Sequence, residues 1–479
     1  MTKTFRAWEP DQIWLLPPSI QDLVPEGHIA HLVRDTVRTA LDLSPILASY
    51  DADRGYPPYH PGMMTALLLY AYSQGVYSSR RIARGCEERL DFAAVTGMQR
   101  PDFRTIAEFR KRHLKAMPAL FLQVLRLCQA AGLVKLGHVA LDGTKLQANA
   151  SKHKAQSYGR MGETEAKLKG EVAGWMAKAE ATDKAEDRKE GAESRGDEVP
   201  VWVANKQRRL EKIREAKAAL EAEAQAAAEE KAKAAAAKAK PGAKAAQTKR
   251  SSELLKVSEA SGQAADAVGS VGQASEQAKQ VMGVPKDKAQ RNFTDPESRI
   301  MKSKDGFVQG YNAQAAVDAE HQVIVAQLLT NNGSDCQHLQ QVVDQIEANC
   351  DRAPTELSAD AGYCSEANIE ALEGRGIDAY IATGRQKHGS EAPAENANAV
   401  PESRIAKMAG KLRAGGFTGA YRLRKQTVEP VFGQIKHARG FRQFLLRGLG
   451  NVSGEWSLIC TVHNLLKLLT RPAAQLEAA

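Results

Sequence analysis

This 479-residue chain lacks long apolar runs. Its longest, around residues 63–72, is too short to span a bilayer, which takes about 18–20 apolar residues. The N-terminus, Met1-Thr2-Lys3-Thr4-Phe5-Arg6, has no apolar signal core. Together these point to a cytosolic protein with no membrane association. Cysteine is also sparse. The six cysteines, at 86, 128, 336, 350, 364 and 460, form no CxxC pair and show no metal-ligand spacing. That argues against a zinc site or a disulfide framework, and Cys128 and Cys460, in apolar helical context, read as core. A third shortage is local. Between positions 404 and 447 there are eleven Lys or Arg residues and a single acid, Glu429. A solvated face normally mixes its signs, so the stretch fits a polyanion-binding surface that keeps one carboxylate for chemistry.

The length allows two or three domains. Residues 1–136 read as an all-α N-terminal domain. In it, Thr105-Ile106-Ala107-Glu108 has capping-box form and predicts a helix start. The apolar face of that helix runs through Ile106, Phe109, His113, Leu114 and Met117, and Pro118 allows a kink or a fresh helix. Two short helices with Arg104, Arg110, Lys111 and Arg112 around the second fit either a helix-turn-helix DNA reader or a helical bundle with a charged rim. Residues 137–151 and 293–470 alternate strands and helices, as a mixed α/β domain does. Between them, residues 152–292 read as a helical insertion. Residues 206–250 hold 17 alanines interleaved with Lys and Glu. Leu210, Ile213 and Leu220 take a/d-like positions there, as in a weak coiled coil or a projecting hairpin, and Pro241-Gly242 would end it. Residues 251–290 are Ser/Ala/Gln/Gly-rich and compatible with partial disorder.

Three segments carry the chemistry. Val139-Ala140-Leu141-Asp142-Gly143 and Leu357-Ser358-Ala359-Asp360-Ala361 each place an aspartate at the end of a short apolar run. Val428-Glu429-Pro430 places a glutamate at the start of a helix. Three carboxylates from distant elements can hold two Mg²⁺ ions, with Mn²⁺ as a substitute, for phosphodiester cleavage and transfer. In that reading Asp142 bridges both ions while Asp360 and Glu429 each complete one side. Each acid also has a plain structural reading, as a turn, cap or first-turn residue. Asp335 rivals Asp360 as the second acid, but Ser334-Asp335-Cys336-Gln337 has capping-box form and favours a cap.

In this order, Asp142-Gly143-Thr144, Asp360-Ala361-Gly362-Tyr363 and the Glu429 to Lys436 helix resemble the DDE transposases of bacterial insertion sequences. The run from Pro10-Asp11-Gln12 through Leu23-Val24-Pro25-Glu26-Gly27-His28 to Phe103-Arg104-Thr105 is similar to the N-terminal domain of such transposases. The resemblance implies a ribonuclease-H-like catalytic fold and Mg²⁺-dependent catalysis by Asp142, Asp360 and Glu429. It further implies movement of an element with terminal inverted repeats into target DNA, the ends being held by a homo-oligomer. Many members carry a Tyr-x2-Arg-x3-Glu-x6-Lys signature. Here Glu429 and Lys436 match it, so Lys436 is implied as a phosphate contact. Tyr421 and Arg424 keep their mutual spacing but stand one residue further from Glu429 than the signature has them. A regulatory DNA-binding protein on the same fold, or a nuclease that only hydrolyses, would share most of these features.

Overall fold

The computed structural model describes residues 19–50, 57–190, 201–238, 283–303, 306–384, 403–415 and 419–469. Pro10-Asp11-Gln12, Pro241-Gly242 and residues 251–282 of the Ser/Ala/Gln/Gly-rich segment lie outside the described residues. The chain divides into two compact units, residues 1–149 with 311–479, and residues 150–310. The N-terminal helices and the later strands thus fall in one of these units.

The first unit opens with seven helices: α1 (Ile29–Thr39), α2 (Ser44–Leu47), α3 (Pro61–Ser73), α4 (Ser79–Glu88), α5 (Leu90–Thr96), α6 (Phe103–Arg112) and α7 (Met117–Ala130). α3 is the longest apolar run of the sequence, and Met64 and the residues from Ala66 to Tyr72 are buried, as an all-round apolar helix must be. α6 starts two residues before Thr105. Its N-cap is Asp102, whose carboxylate accepts from Arg104 N at 2.7 Å and Thr105 N at 3.3 Å, so an Asp cap prevails over the Thr105 capping box. The expected apolar face is buried at Ile106, Phe109, His113, Leu114 and Met117. Pro118 sits in the first turn of α7, where its missing N–H costs nothing, so a fresh helix begins there. β1 (His138–Gln147) follows.

In the second unit, β2 (Ala155–Ser157) leads into α8 (Tyr158–Glu190), and α9 (Val201–Lys238) packs along α8 in the opposite direction. Little is buried between them. Met161 and Leu168 meet Leu210, Ile213, Ala216 and Leu220 in a thin apolar seam, so the three a/d-like positions do face inward. Ion pairs flank the seam. Glu165 accepts from Lys169 and from Lys217, each at 2.8 Å, and from Arg214 at 3.3 Å. The two lysines and the arginine hold its carboxyl down at about 2. β3 (Gln290–Asn292) pairs antiparallel with β2. β4 (Arg299–Ser303) pairs antiparallel with the opening residues of β5 (Gly306–Asp318).

The remaining strands of the first unit are β6 (Ile324–Thr330), β7 (Glu356–Ala359) and β8 (Asp378–Ile381). Their hydrogen-bonded order is β6-β5-β1-β7-β8. β5 and β6 are antiparallel, while β7 runs parallel to both β1 and β8. The helices here are α10 (Leu339–Cys350), α11 (Glu366–Gly374), α12 (Arg404–Gly415), α13 (Leu423–Gly433) and α14 (Leu449–Leu469). This is the mixed α/β sheet that the alternating pattern predicts. None of the six cysteines is in a disulfide, and Cys128 and Cys460 are buried.

α14 ties the N-terminal helices to the sheet. It packs on α7, α3 and β6. Its Asn464 accepts from Ile324 N and donates to Ile324 O, both at 2.8 Å, and so satisfies a backbone pair of β6. Two turns earlier, Trp456 donates to Gln314 O at 3.2 Å. His463 on the same helix donates through Nε2 to Gln322 O at 2.9 Å, with Arg439 against its other nitrogen at 3.4 Å. Burial, then the Arg439 charge, pushes its imidazole down to about 3. The unfolded chain takes that proton first as the pH falls below the ordinary value near 6.5, so the folded state loses stability between about pH 6.5 and 3. His463→Gln is expected to flatten this acid limb, as read by urea denaturation at pH 7, 5 and 4. An unchanged slope would remove His463 as its cause.

Candidate active site

Parallel pairing of β1 with β7 sets Leu141 opposite Ala359. Asp142 and Asp360 are the next residue on each strand, and neighbouring strands lie only about 4.8 Å apart. The sheet register thus puts the two aspartates side by side where the parallel pairing ends, Asp142 midway along β1 and Asp360 just past β7. The Asp142 carboxylate accepts from Gly143 N at 2.8 Å and from Arg424 Nη1 at 2.9 Å. Burial pushes its carboxyl up to about 6. Arg424 opposes that rise, and the Asp360 and Asp335 charges add to it. Asp360 caps the short turn Ala361–Tyr363 by accepting from Gly362 N at 2.8 Å. Burial raises its carboxyl too, the Gly362 N–H opposes this, and the Asp335 charge adds to the rise.

The third acid comes from α13, which packs across β1. Glu429 is exposed, and its Oε1 lies 3.7 Å from Nη2 of Arg424. Five residues along a helix is about 140° of rotation, so only a side chain as long as arginine bridges the two positions. Arg424 itself is buried, between Asp142 and Glu429, and hydrogen-bonds Tyr421 from the turn before the helix. The extra residue in the signature therefore does not keep Tyr421 or Arg424 out of the site. Pro430 lies inside α13 and cannot donate to Gln426 O. The Gln322 side chain donates to that carbonyl instead, at 3.1 Å. Beyond α13 the backbone widens into a π-helical turn, Gln434–Ala438, of the kind that often marks functional sites. It carries Lys436, whose ammonium donates to Thr144 Oγ1 and to Lys145 O at 3.3 Å on β1.

Asp335 departs from its sequence reading. It occupies the N-cap position of the turn Cys336–His338 but makes no side-chain cap. Its carboxylate turns instead toward β1 and β5, where Asn312, Gln314 and Lys145 donate to it. The capping-box pattern is local and hid this, because the donors come from other strands. Arg110 also departs. It is buried and donates to Tyr72 OH at 3.0 Å and Tyr77 O at 2.9 Å, near the fully buried Glu455. Its guanidinium holds the fold together and faces no solvent. Arg104 and Lys111 are exposed, as are Arg80, Arg81 and Arg84 on α4, against which α6 packs. The helical spacing of the three α4 arginines was the available sequence signal.

Carboxylate oxygens are hard donors suited to divalent cations. Among the described residues, no three His, Cys, Asp or Glu side chains close around one point as a ready metal cage. The Arg424 guanidinium stands between Asp142 and Glu429, a positive charge where a cation would serve both. The donor chemistry and this stand-in charge fit a divalent ion. No helix of the described residues is long and apolar enough to cross a membrane.

A family model described as a transposase DDE domain matches residues 279–465. A second, described as a transposase domain, matches residues 18–112. No curated protein and no solved structure matches the chain.

Proposed function

The chain belongs to the DDE transposases, and on that premise we propose that Asp142, Asp360 and Glu429 are the acids with which it cuts DNA and joins the ends. Enzymes of this family act on DNA with divalent metal ions. One observation carries the residue assignment. Asp142 is the neighbour of Asp360 by strand register, and it shares the Arg424 guanidinium with Glu429. On this reading Asp142 would serve both metal ions, and Asp360 and Glu429 would each complete one side. The strand order β6-β5-β1-β7-β8 supports a ribonuclease-H-like core.

Mg²⁺ is the ion we assign, with Mn²⁺ as a substitute; when bound it activates the attacking oxygen and relieves charge on the phosphate. The protein's own groups do the rest. Lys436, fixed on Thr144 and Lys145, holds a DNA phosphate beside the acids. Arg424 and Tyr421 turn to the backbone of the DNA end once Asp142 and Glu429 are engaged. Arg104 and Lys111, with the α4 arginines, contact the terminal inverted repeat. Residues 1–136 grip the DNA end, 137–151 with 293–470 carry catalysis, 152–292 are an Ala/Lys/Glu-rich insertion, and a homo-oligomer holds the paired ends.

The test is strand transfer of a 3′-hydroxyl repeat end into target DNA in Mg²⁺. Joined product supports the reading, whereas cleavage without joining would leave a nuclease. Lys436→Ala is expected to weaken binding to the repeat end and to lower the slope of log affinity against log salt by about 1. An unchanged slope would take Lys436 off the phosphate backbone.

A further inference from the structure

We propose that Asp335 is a fourth carboxylate of the cation site, outside the Asp142, Asp360 and Glu429 set. The inference rests on the catalytic reading given above. Asp335 Oδ1 is saturated, accepting from Asn312 Nδ2 at 2.6 Å, Gln314 Nε2 at 2.7 Å and Lys145 Nζ at 3.1 Å. Its other oxygen, Oδ2, has only Lys145 at 3.4 Å, outside good hydrogen-bond geometry. The anchored oxygen fixes the carboxylate and leaves the second one free to bind.

Two glycines show where Oδ2 points. A Cβ on Gly362 would lie 2.9 Å from Asp360 Oδ1 and 3.2 Å from Asp335 Oδ2. Both oxygens therefore front one methyl-sized gap that exists because position 362 has no side chain. A Cβ on Gly143, the residue after Asp142, would meet Gln314 Nε2 first, then Asp335 Oδ1 at 2.8 Å and Asn312 Oδ1 at 3.0 Å, so this backbone is packed against the residues that anchor Asp335. Asn312 is fully buried, and that amide oxygen has no hydrogen-bond partner. An orphaned buried acceptor is costly, and so are two carboxylates that face one gap. A divalent cation in the Gly362 gap relieves the facing carboxylates, because carboxylate oxygens are its natural donors, and its hydration water is the partner we assign to the Asn312 amide.

The bland alternative makes Asp335 a structural counter-ion of Lys145, and the two readings predict opposite results. Mn²⁺ is titrated into the full-length chain without DNA, and the free ion is followed by its electron paramagnetic resonance signal. Asp335→Asn is expected to weaken Mn²⁺ binding about 10- to 100-fold. Lys145→Met, which leaves Asp335 more negative, is expected to keep or tighten it. Unchanged binding in Asp335→Asn overturns the proposal, and so does an equal loss in both variants. Asp142→Asn and Asp360→Asn separate this from the underlying reading. If they lose Mn²⁺ and Asp335→Asn does not, only the fourth carboxylate fails. If neither loses Mn²⁺, the catalytic assignment fails as well. Should Asp335→Asn not fold, the anomalous signal of Mn²⁺ in crystals of the unaltered chain decides. A peak at coordination distance from Asp335 Oδ2 supports the proposal, and peaks at the other acids alone overturn it.

Discussion

Asp142→Asn is expected to cut strand transfer by at least about 10⁴-fold, the scale on which members of a tightly coupled catalytic set fail singly. The substitution keeps shape and one acceptor oxygen, so one of the two contacts, with Gly143 N or with Arg424, can persist and the fold should survive. What it removes is the negative charge at the one position that neighbours Asp360 through the register and Glu429 through Arg424. Asp360→Asn and Glu429→Gln should be silent in the same assay. DNA binding should hold or tighten in all three, because each substitution removes a negative charge from a surface that must meet phosphate. Electrophoretic mobility shift and strand transfer on the same DNA end check both halves. A variant that still joins ends at the native rate removes its residue from the site.

Trp456→Ala is expected to cost about 3–5 kcal/mol of stability, the range for emptying a large aromatic site in a core. Trp456 is fully buried and donates its indole N–H to Gln314 O. It seats α14 on β5, the strand that carries both Asn312 and Gln314. Set against a total of about 5–15 kcal/mol for a typical domain, the loss is large enough to lower the urea midpoint strongly and to disturb the floor of the site. Met176→Ala, at a half-exposed position of α8, should stay within about 0.5 kcal/mol. A Trp456→Ala midpoint near that of the native chain would contradict the seating of α14.

The sequence already contained everything that depends on local pattern. The alternation of strand and helix patterns marked residues 293–470 as an α/β region, and the 3.6-residue periodicity marked the buried face of α6. The Asp142 and Asp360 segments read as strand ends because apolar runs stop there. The same reasoning failed where local patterns compete. Thr105 and Asp335 both head capping-box spacings. Yet Asp102 caps α6, and Asp335 leaves its cap position for donors on β1 and β5. Arg110 looked like its exposed neighbours Lys111 and Arg112, and no local signal distinguishes an arginine that other helices will cover.

By itself, then, the sequence determined the order of elements, the candidate acids and the cationic stretch around Glu429, because propensity, periodicity and charge are properties of neighbouring residues. Only the tertiary structure decided which acids meet. Parallel pairing in register brings Asp142 to Asp360. The packing of α13 on β1 lets one guanidinium span Asp142 and Glu429, despite a signature spacing that is off by one. The missing side chain at Gly362 leaves a gap that both Asp360 and Asp335 face. These depend on hydrogen-bond register and on excluded volume between segments far apart in the chain, and neither is written in any single segment.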